Sequence, residues 1–354
     1  MTPGSPMTYE IPALWAPIDT VVNHDSLELA APVAAFLQQT GACPDEAPAA
    51  RFAAAGAQLV GYAVPAANGP CAHAMARAVA VGFAIDDLED DSADSEESLH
   101  RLIHRAARFT AVIDAPETGH DDPDPWTRAW AAALDDLRAC ALPAPWQRAR
   151  DGIRAYALGC VHEASLRRTA SLPPLDHYLP FRYALASGRW MAALVEIGGE
   201  FDLPPDEIGS PLVHAAQETA LTAAFLDNEL LSRGKEEARG EYDCGLIPVL
   251  LAEPAPRTLQ QAVDDATALR DRIMDLHLRL AAAVRAGGSP GTRDYVELLG
   301  RASAGITTFS RDTLRYTTPH QPKPPVTSAA TPPPRGPYRS RLPPQIGRWT
   351  QLAH

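Results

Sequence analysis

From Ser26 to Tyr316 the chain reads as one helical pattern after another, with proline, glycine and short polar runs confined to the joints. No stretch sustains the apolar–polar alternation of a half-buried strand, and no internal repeat is evident. That succession predicts an all-α bundle. Helices are expected over Ser26–Gln39, Glu46–Val64, Pro70–Asp86, Glu96–Val112, Trp126–Leu142 and Trp146–Thr169, then over Leu175–Gly198, Pro211–Arg239, Thr258–Arg285 and Tyr295–Arg315. The acidic stretch 114–125 carries prolines and reads as a loop, and Asp202–Pro205 as a turn.

The ends differ from this body. Residues 1–25 are polar and proline-rich, with Trp15 and Ile18 as expected anchors onto the rest. Beyond Thr317 the prolines exclude regular structure, and Lys323, Arg335, Arg339, Arg341 and Arg348 make the segment basic with no acidic residue. The organisation expected is therefore a packing segment over 1–25, one helical domain over 26–316 and a disordered tail over 317–354. A strap folded over the acidic body is the alternative for that tail.

Charge narrows the partners. With 44 acidic against 31 basic side chains the net charge is −13, which excludes a general nucleic-acid binder. If such a chain handles an anion, it needs local cations or bound metal. The five cysteines are dispersed without zinc spacing, so reduced thiols of a cytoplasmic protein are expected. No basic and apolar leader opens the sequence, and no apolar run reaches the ~18 residues of a membrane span. A monomer or homodimer is the expected assembly.

Two acidic elements carry chemistry. In Phe225–Glu236, the residues Asn228, Ser232 and Glu236 recur every fourth position, with Lys235 beside the last. On a helix a step of four rises about 6 Å and stays on one face, so three oxygen-bearing side chains line up. An amide carbonyl, a hydroxyl and a carboxylate are hard ligands that suit Mg2+ rather than zinc. The second element, Asp86–Asp91, sits where a helix should end, and carboxylates there oppose the macrodipole by about 0.3–1 kcal/mol each. Asp86 and Asp90 share a face and repel, a penalty that a divalent cation would remove. An EF-hand is excluded, because Leu88 would fall on a ligand position and Asp91 on the obligatory glycine. The pairs Asp121–Asp122, Asp135–Asp136 and Asp264–Asp265 lie in polar surroundings and read as surface.

Together these elements resemble the class I terpene synthases of bacteria. Asp86-Asp-Leu-Glu-Asp90 looks like that family's Asp-rich motif, and Asn228, Ser232 and Glu236 with Lys235 look like its Asn/Ser/Glu motif. Arg182, 46 residues before Asn228, stands where the family has a diphosphate-sensing arginine, and Arg315-Tyr316 resembles its closing Arg-Tyr pair. Three departures stand out. Glu229 occupies a position where many relatives have Asp, Phe309 one where Trp is common, and the glycine expected near Ser187 is displaced by one.

The resemblance implies an all-α domain around a deep apolar cavity and a linear isoprenyl diphosphate as substrate, farnesyl diphosphate being favoured and geranylgeranyl diphosphate possible. It implies three Mg2+ ions held by Asp86, Asp90, Asn228, Ser232 and Glu236, and a diphosphate held by Arg182, Lys235, Arg315 and Tyr316. Phe83, Phe181, Phe225 and Phe309 lie near these positions and are the candidate cavity aromatics. The competing expectations are a chain-elongating isoprenyl diphosphate synthase and a non-catalytic helical binder. The first would carry a second Asp-rich motif where this chain has Asn/Ser/Glu.

Overall fold

The computed structural model describes residues 9–90, 96–239, 244–316, 323–329, 331 and 342–353, with backbone alone at 88–90, 96, 98 and 237–239. The fold is all-α. Among the described residues β pairing is confined to two short strands, Leu14–Trp15 and Val326–Thr327.

Helix Pro211–Arg239 is the axis, packed against Leu259–Gly287 and Pro290–Asp312. Its middle turns are buried on every side: Leu221, Thr222, Ala223, Ala224, Phe225 and Leu226 are all enclosed. A helix with no polar face has to be enclosed. Helix Gly69–Asp90 is built likewise, and its buried alanines at 74, 76, 78, 80 and 84 let Glu46–Ala63 and Pro125–Cys140 come close. Glu96–Val112 is the contrasting case. It buries Leu102, Phe109 and Val112 and leaves the opposite face to solvent.

The structure departs from the expected helices where local sterics intervene. The predicted Leu175–Gly198 helix is two, Leu175–Leu185 and Gly188–Gly198. Ser187 between them takes φ 63° and ψ 31°, a left-handed conformation costing a non-glycine residue about 1–2 kcal/mol. Gly188 cannot share that duty with a larger residue, because a Cβ there would collide with the ring of Tyr183. On the far side, helix Pro143–Thr169 approaches the break through Gly159, whose Cβ would lie 2.8 Å from the Leu185 backbone. The displaced glycine is thus a packing requirement, and the serine bears the strain. The predicted Ser26–Gln39 helix also divides, into His24–Leu27 and Ala30–Gln39. The last body helix ends at Asp312, so Arg315 and Tyr316 lie in the chain beyond it.

Disorder of the whole tail is corrected by the described part of it. Val326–Thr327 pairs in parallel with Leu14–Trp15, and the Trp15 indole donates to Ala329 at 2.7 Å. Leu342 and Ile346 are buried in the main core. Prolines exclude long helices, but they do not prevent a short strand or the four-residue helix Pro344–Gly347 from docking where apolar side chains find a surface. The N-terminal segment is held at the same place, with Leu14 and Trp15 fully buried.

One buried group makes stability depend on pH. His277 is 1% exposed, and its Nδ1–H donates to the Ala216 carbonyl at 3.1 Å. Burial pushes its pKa down from 6.5 to about 4, with the Ala216 contact opposing only part of the shift. The unfolded chain therefore binds a proton that the folded one refuses as pH falls from about 6.5 toward 4. Stability should drop by up to about 3 kcal/mol across that window and be flat, for this group, above it. Urea unfolding of wild type and His277→Gln at pH 7.5 and 4.5 would measure it, the variant losing the corresponding share of the pH dependence.

Candidate active site

Candidate side chains come from five places and line one cavity of about 150 Å3. Asp86 stands at the end of helix Gly69–Asp90, Arg182 near the end of Leu175–Leu185 and Asn228 within Pro211–Arg239. Ser310 comes from the last turn of Pro290–Asp312, and Tyr316 follows beyond that helix. All five line the cavity.

Arg182 and Asn228 are in direct contact. The guanidinium Nη2 donates to Asn228 Oδ1 at 2.9 Å, and the amide of Asn228 in turn donates to Ser310 Oγ at 3.1 Å. Arg182 also pairs with Glu229 at 2.6 Å. Glu229 is therefore no idle departure. Its other oxygen accepts the backbone N–H of Leu246 at 2.8 Å, tying Arg182 to the start of helix Leu246–Ala252. One helical turn on, Ser232 Oγ donates to Glu236 at 2.8 Å, so these two members of the repeat share a face as expected. They do not line the cavity itself; Glu236 borders a smaller polar pocket of about 40 Å3 behind Arg182.

A second cluster is one of charges. The Arg315 side chain is 4% exposed and bridges two carboxylates, donating to Asp87 at 2.7 Å and to Asp86 at 2.8 Å. Lys235 adds a bond to Asp87 at 2.9 Å. Burial works against the Asp87 charge, yet Arg315 and then Lys235 outweigh it and hold its carboxyl below the usual carboxylate range. The macrodipole penalty read from the sequence is thus relieved here by two cations of the chain itself. The Arg315 guanidinium also lies 4.6 Å from the centre of the Phe83 ring.

Away from this cluster the lining is aromatic and aliphatic. Phe83, Phe225 and Phe309 line the cavity, with Phe83 stacked on Phe309 at 5.9 Å and Tyr316 edge-on to Phe309 at 6.1 Å. Phe181 does not. It sits one residue before Arg182, and the helix turns it about 100° away onto His162 at 4.6 Å. Tyr156 and Trp190 line the cavity in its place and were not singled out from the sequence. The available signal was Gly159, which lets the Tyr156 helix reach the break, and the break itself, which aims the Trp190 helix inward. The backbone of Asp90 closes its helix, and its side chain lies outside the described residues.

The donor set fits hard cations. Asp86 is 39% exposed on its side chain and faces the cavity, while Asn228, Ser232 and Glu236 present oxygen from one helix, with no sulfur or imidazole among them. The chain matches the model of terpene synthase family 2, C-terminal metal binding, over residues 77–275, more than half of its length. It belongs to that family. The match contains Asp86, Arg182 and the Asn228–Glu236 repeat and stops before Arg315 and Tyr316.

Spiroviolene synthase of Streptomyces violens is 28% identical over 235 residues, which are 66% of this chain and 65% of that one. Bonnadiene synthase of Allokutzneria albata is 29% identical over 218 residues, 62% of this chain and 60% of its own. The chain thus matches somewhat less than two thirds of each of these two relatives. Among solved structures, a mutant of the SVS_A2 protein from an ancestral sequence reconstruction superposes with a TM-score of 0.82 at 25% identity, covering 98% of this chain and all of that one. No helix among the described residues is long and apolar enough to cross a membrane.

Proposed function

We propose that the protein is a Mg2+-dependent class I terpene cyclase that ionises a linear isoprenyl diphosphate and cyclises the resulting carbocation. The observation that carries this reading is that Asp86, Arg182, Asn228 and Tyr316 line a single cavity together with Phe83, Phe225, Phe309 and Trp190, and that Arg315 is bound to Asp86. Family membership supports it.

Asp86, Asn228, Ser232 and Glu236 would hold the metal, with Asp90 assigned by the family motif alone and a set of three ions by resemblance. Bound there, the ions supply Lewis-acid stabilisation of the charge that grows on the departing diphosphate. The chain's own residues do the rest. Arg182 presents a planar fork that matches paired phosphate oxygens, and its contacts with Asn228 and Glu229 fix that fork before substrate arrives. Arg315 and Lys235 exchange Asp86 and Asp87 for diphosphate oxygens, so their charges are never left dry, and Tyr316 adds a hydroxyl donor. The allylic C–O bond breaks with its electron pair leaving on oxygen. The positive chain is then left among Phe83, Phe225, Phe309, Tyr156 and Trp190, whose ring faces stabilise cations and whose bulk keeps water out.

Farnesyl diphosphate is the favoured substrate and geranylgeranyl diphosphate the alternative. A reaction of this kind is consistent with a cytoplasmic monomer or homodimer. The deciding experiment incubates the purified protein with geranyl, farnesyl and geranylgeranyl diphosphates, with Mg2+ or with EDTA, and analyses the organic extract by gas chromatography and mass spectrometry. A cyclic hydrocarbon or alcohol formed from farnesyl diphosphate only with Mg2+ is the expected result. No product from any of the three, in folded protein, would sink the reading.

A further inference from the structure

Glu218 lies ten residues before Asn228 on the same helix and is 3% exposed. A carboxylate so deeply buried needs donors, because a dry and unpaired charge is strongly destabilising. Among the described residues all its hydrogen bonds come from the C-terminal segment: Gln345 Nε2, Trp349 Nε1 at 2.6 Å and Arg348 Nη2 at 3.5 Å. The Trp349 ring is held between the Arg348 guanidinium, 4.2 Å from its centre, and His214 at 5.6 Å.

The same segment touches the machinery from behind. Helix Pro344–Gly347 packs on Leu175–Leu185, and the turn Arg348–Leu352 packs on Pro211–Arg239. Those two body helices carry Arg182 and Asn228, and the 2.9 Å bond between these residues spans the gap that the segment bridges. Tyr183, next to Arg182, is half-buried against the core and lies 6.2 Å from the cavity residue Phe225. Farther up the tail, Val326–Thr327 pairs with Leu14–Trp15. The Trp15 carbonyl accepts from Arg270, and Arg270 pairs with Asp227 immediately before Asn228.

We propose that residues 323–329 and 342–353 form a positioning strap, in which Trp349 and Gln345 clamp Glu218 so that Arg182 and Asn228 are held in register for the diphosphate. The inference rests on the reading of those two residues as the diphosphate end of the site. Glu218 and Trp349 touch no substrate; they act through the spacing of two helices. A strap at the base of the helices also gives the long C-terminal segment a use that does not require it to cover the mouth.

The test uses the full chain and inorganic pyrophosphate with Mg2+, titrated calorimetrically, beside the product profile from farnesyl diphosphate. Trp349→Phe keeps a ring over His214 and removes the N–H donor, and Glu218→Gln removes the charge that the donors serve. Both variants, folded by circular dichroism, should bind pyrophosphate about tenfold more weakly and shift the proportions of products. Gln351→Ala, on the exposed side of the strap, should change neither. A lowered Tm with wild-type pyrophosphate affinity and an unchanged product profile would overturn the strap, because that is the signature of a purely structural dock. If the wild type turns over no isoprenyl diphosphate, weakened pyrophosphate binding in the two variants still upholds the strap while the cyclase reading falls. Wild-type protein that binds no pyrophosphate with Mg2+ overturns both.

Discussion

Asn228→Ala is expected to reduce kcat/KM for the isoprenyl diphosphate by about 10²–10³, with helix content unchanged. The size follows from two losses at one atom group. Asn228 Oδ1 is the proposed metal ligand, and it also receives the Arg182 guanidinium at 2.9 Å, so its removal releases Arg182 from its contact on that side and leaves it the pair with Glu229. Ser310→Ala is the graded companion. It takes away only the acceptor that orients the Asn228 amide, a contact of 3.1 Å, and should cost about tenfold. Steady-state rates for both variants, with Mg2+ titrated at fixed substrate, separate the roles: Asn228→Ala should require more Mg2+ for half-maximal rate, and Ser310→Ala should change that requirement less. Near wild-type turnover in Asn228→Ala would remove this residue from the site.

Arg270→Ala should destabilise the fold by about 3–5 kcal/mol, a large share of the roughly 5–15 kcal/mol that holds a typical domain. Arg270 and Asp227 are 1% and 0% exposed, and their 2.7 Å ion pair is the main compensation for two buried charges. Thr307 donates to the same Asp227 oxygen at 2.6 Å, and Arg270 also donates to Asp271 and to the Trp15 carbonyl. Truncating the arginine strands the Asp227 carboxylate in the core. Replacing both partners, Asp227→Leu with Arg270→Met, should recover much of the loss, since the desolvation cost disappears along with the attraction. Chemical denaturation of the wild type, single variants and double variant measures the coupling. A single variant within about 1 kcal/mol of wild type would mean that water already reaches the pair.

Much of the site was legible before any coordinates because its chemistry is written in short spacings along single helices. Asn228, Ser232 and Glu236 recur at four residues, and the structure keeps Ser232 and Glu236 in contact across one turn. Asp86 was legible because a carboxylate following the apolar run Val79–Ile85 at a helix end is costly unless something compensates it. What compensates it in the structure was not legible. Arg315 lies 229 positions away from Asp86, and a partner at that distance is set by how the helices are arranged. The same holds for Asp87, seen from the sequence only as a neighbour of Asp86 and found between Arg315 and Lys235.

The sequence by itself determined the all-α class, the presence of most of the long helices and the family. These follow from local periodicity and from residue types whose chemistry does not depend on context. Only the tertiary structure decided which aromatics face the cavity, since one residue of helical rotation separates Arg182, which faces it, from Phe181, which does not. It also decided where the Leu175–Gly198 pattern breaks: Ser187 takes a left-handed backbone where Gly188 packs under Tyr183 and Gly159 packs against Leu185. The fate of the C-terminal segment was decided there as well. Its composition gives it no core of its own, and its described part is held by a buried carboxylate and an apolar surface that the body supplies.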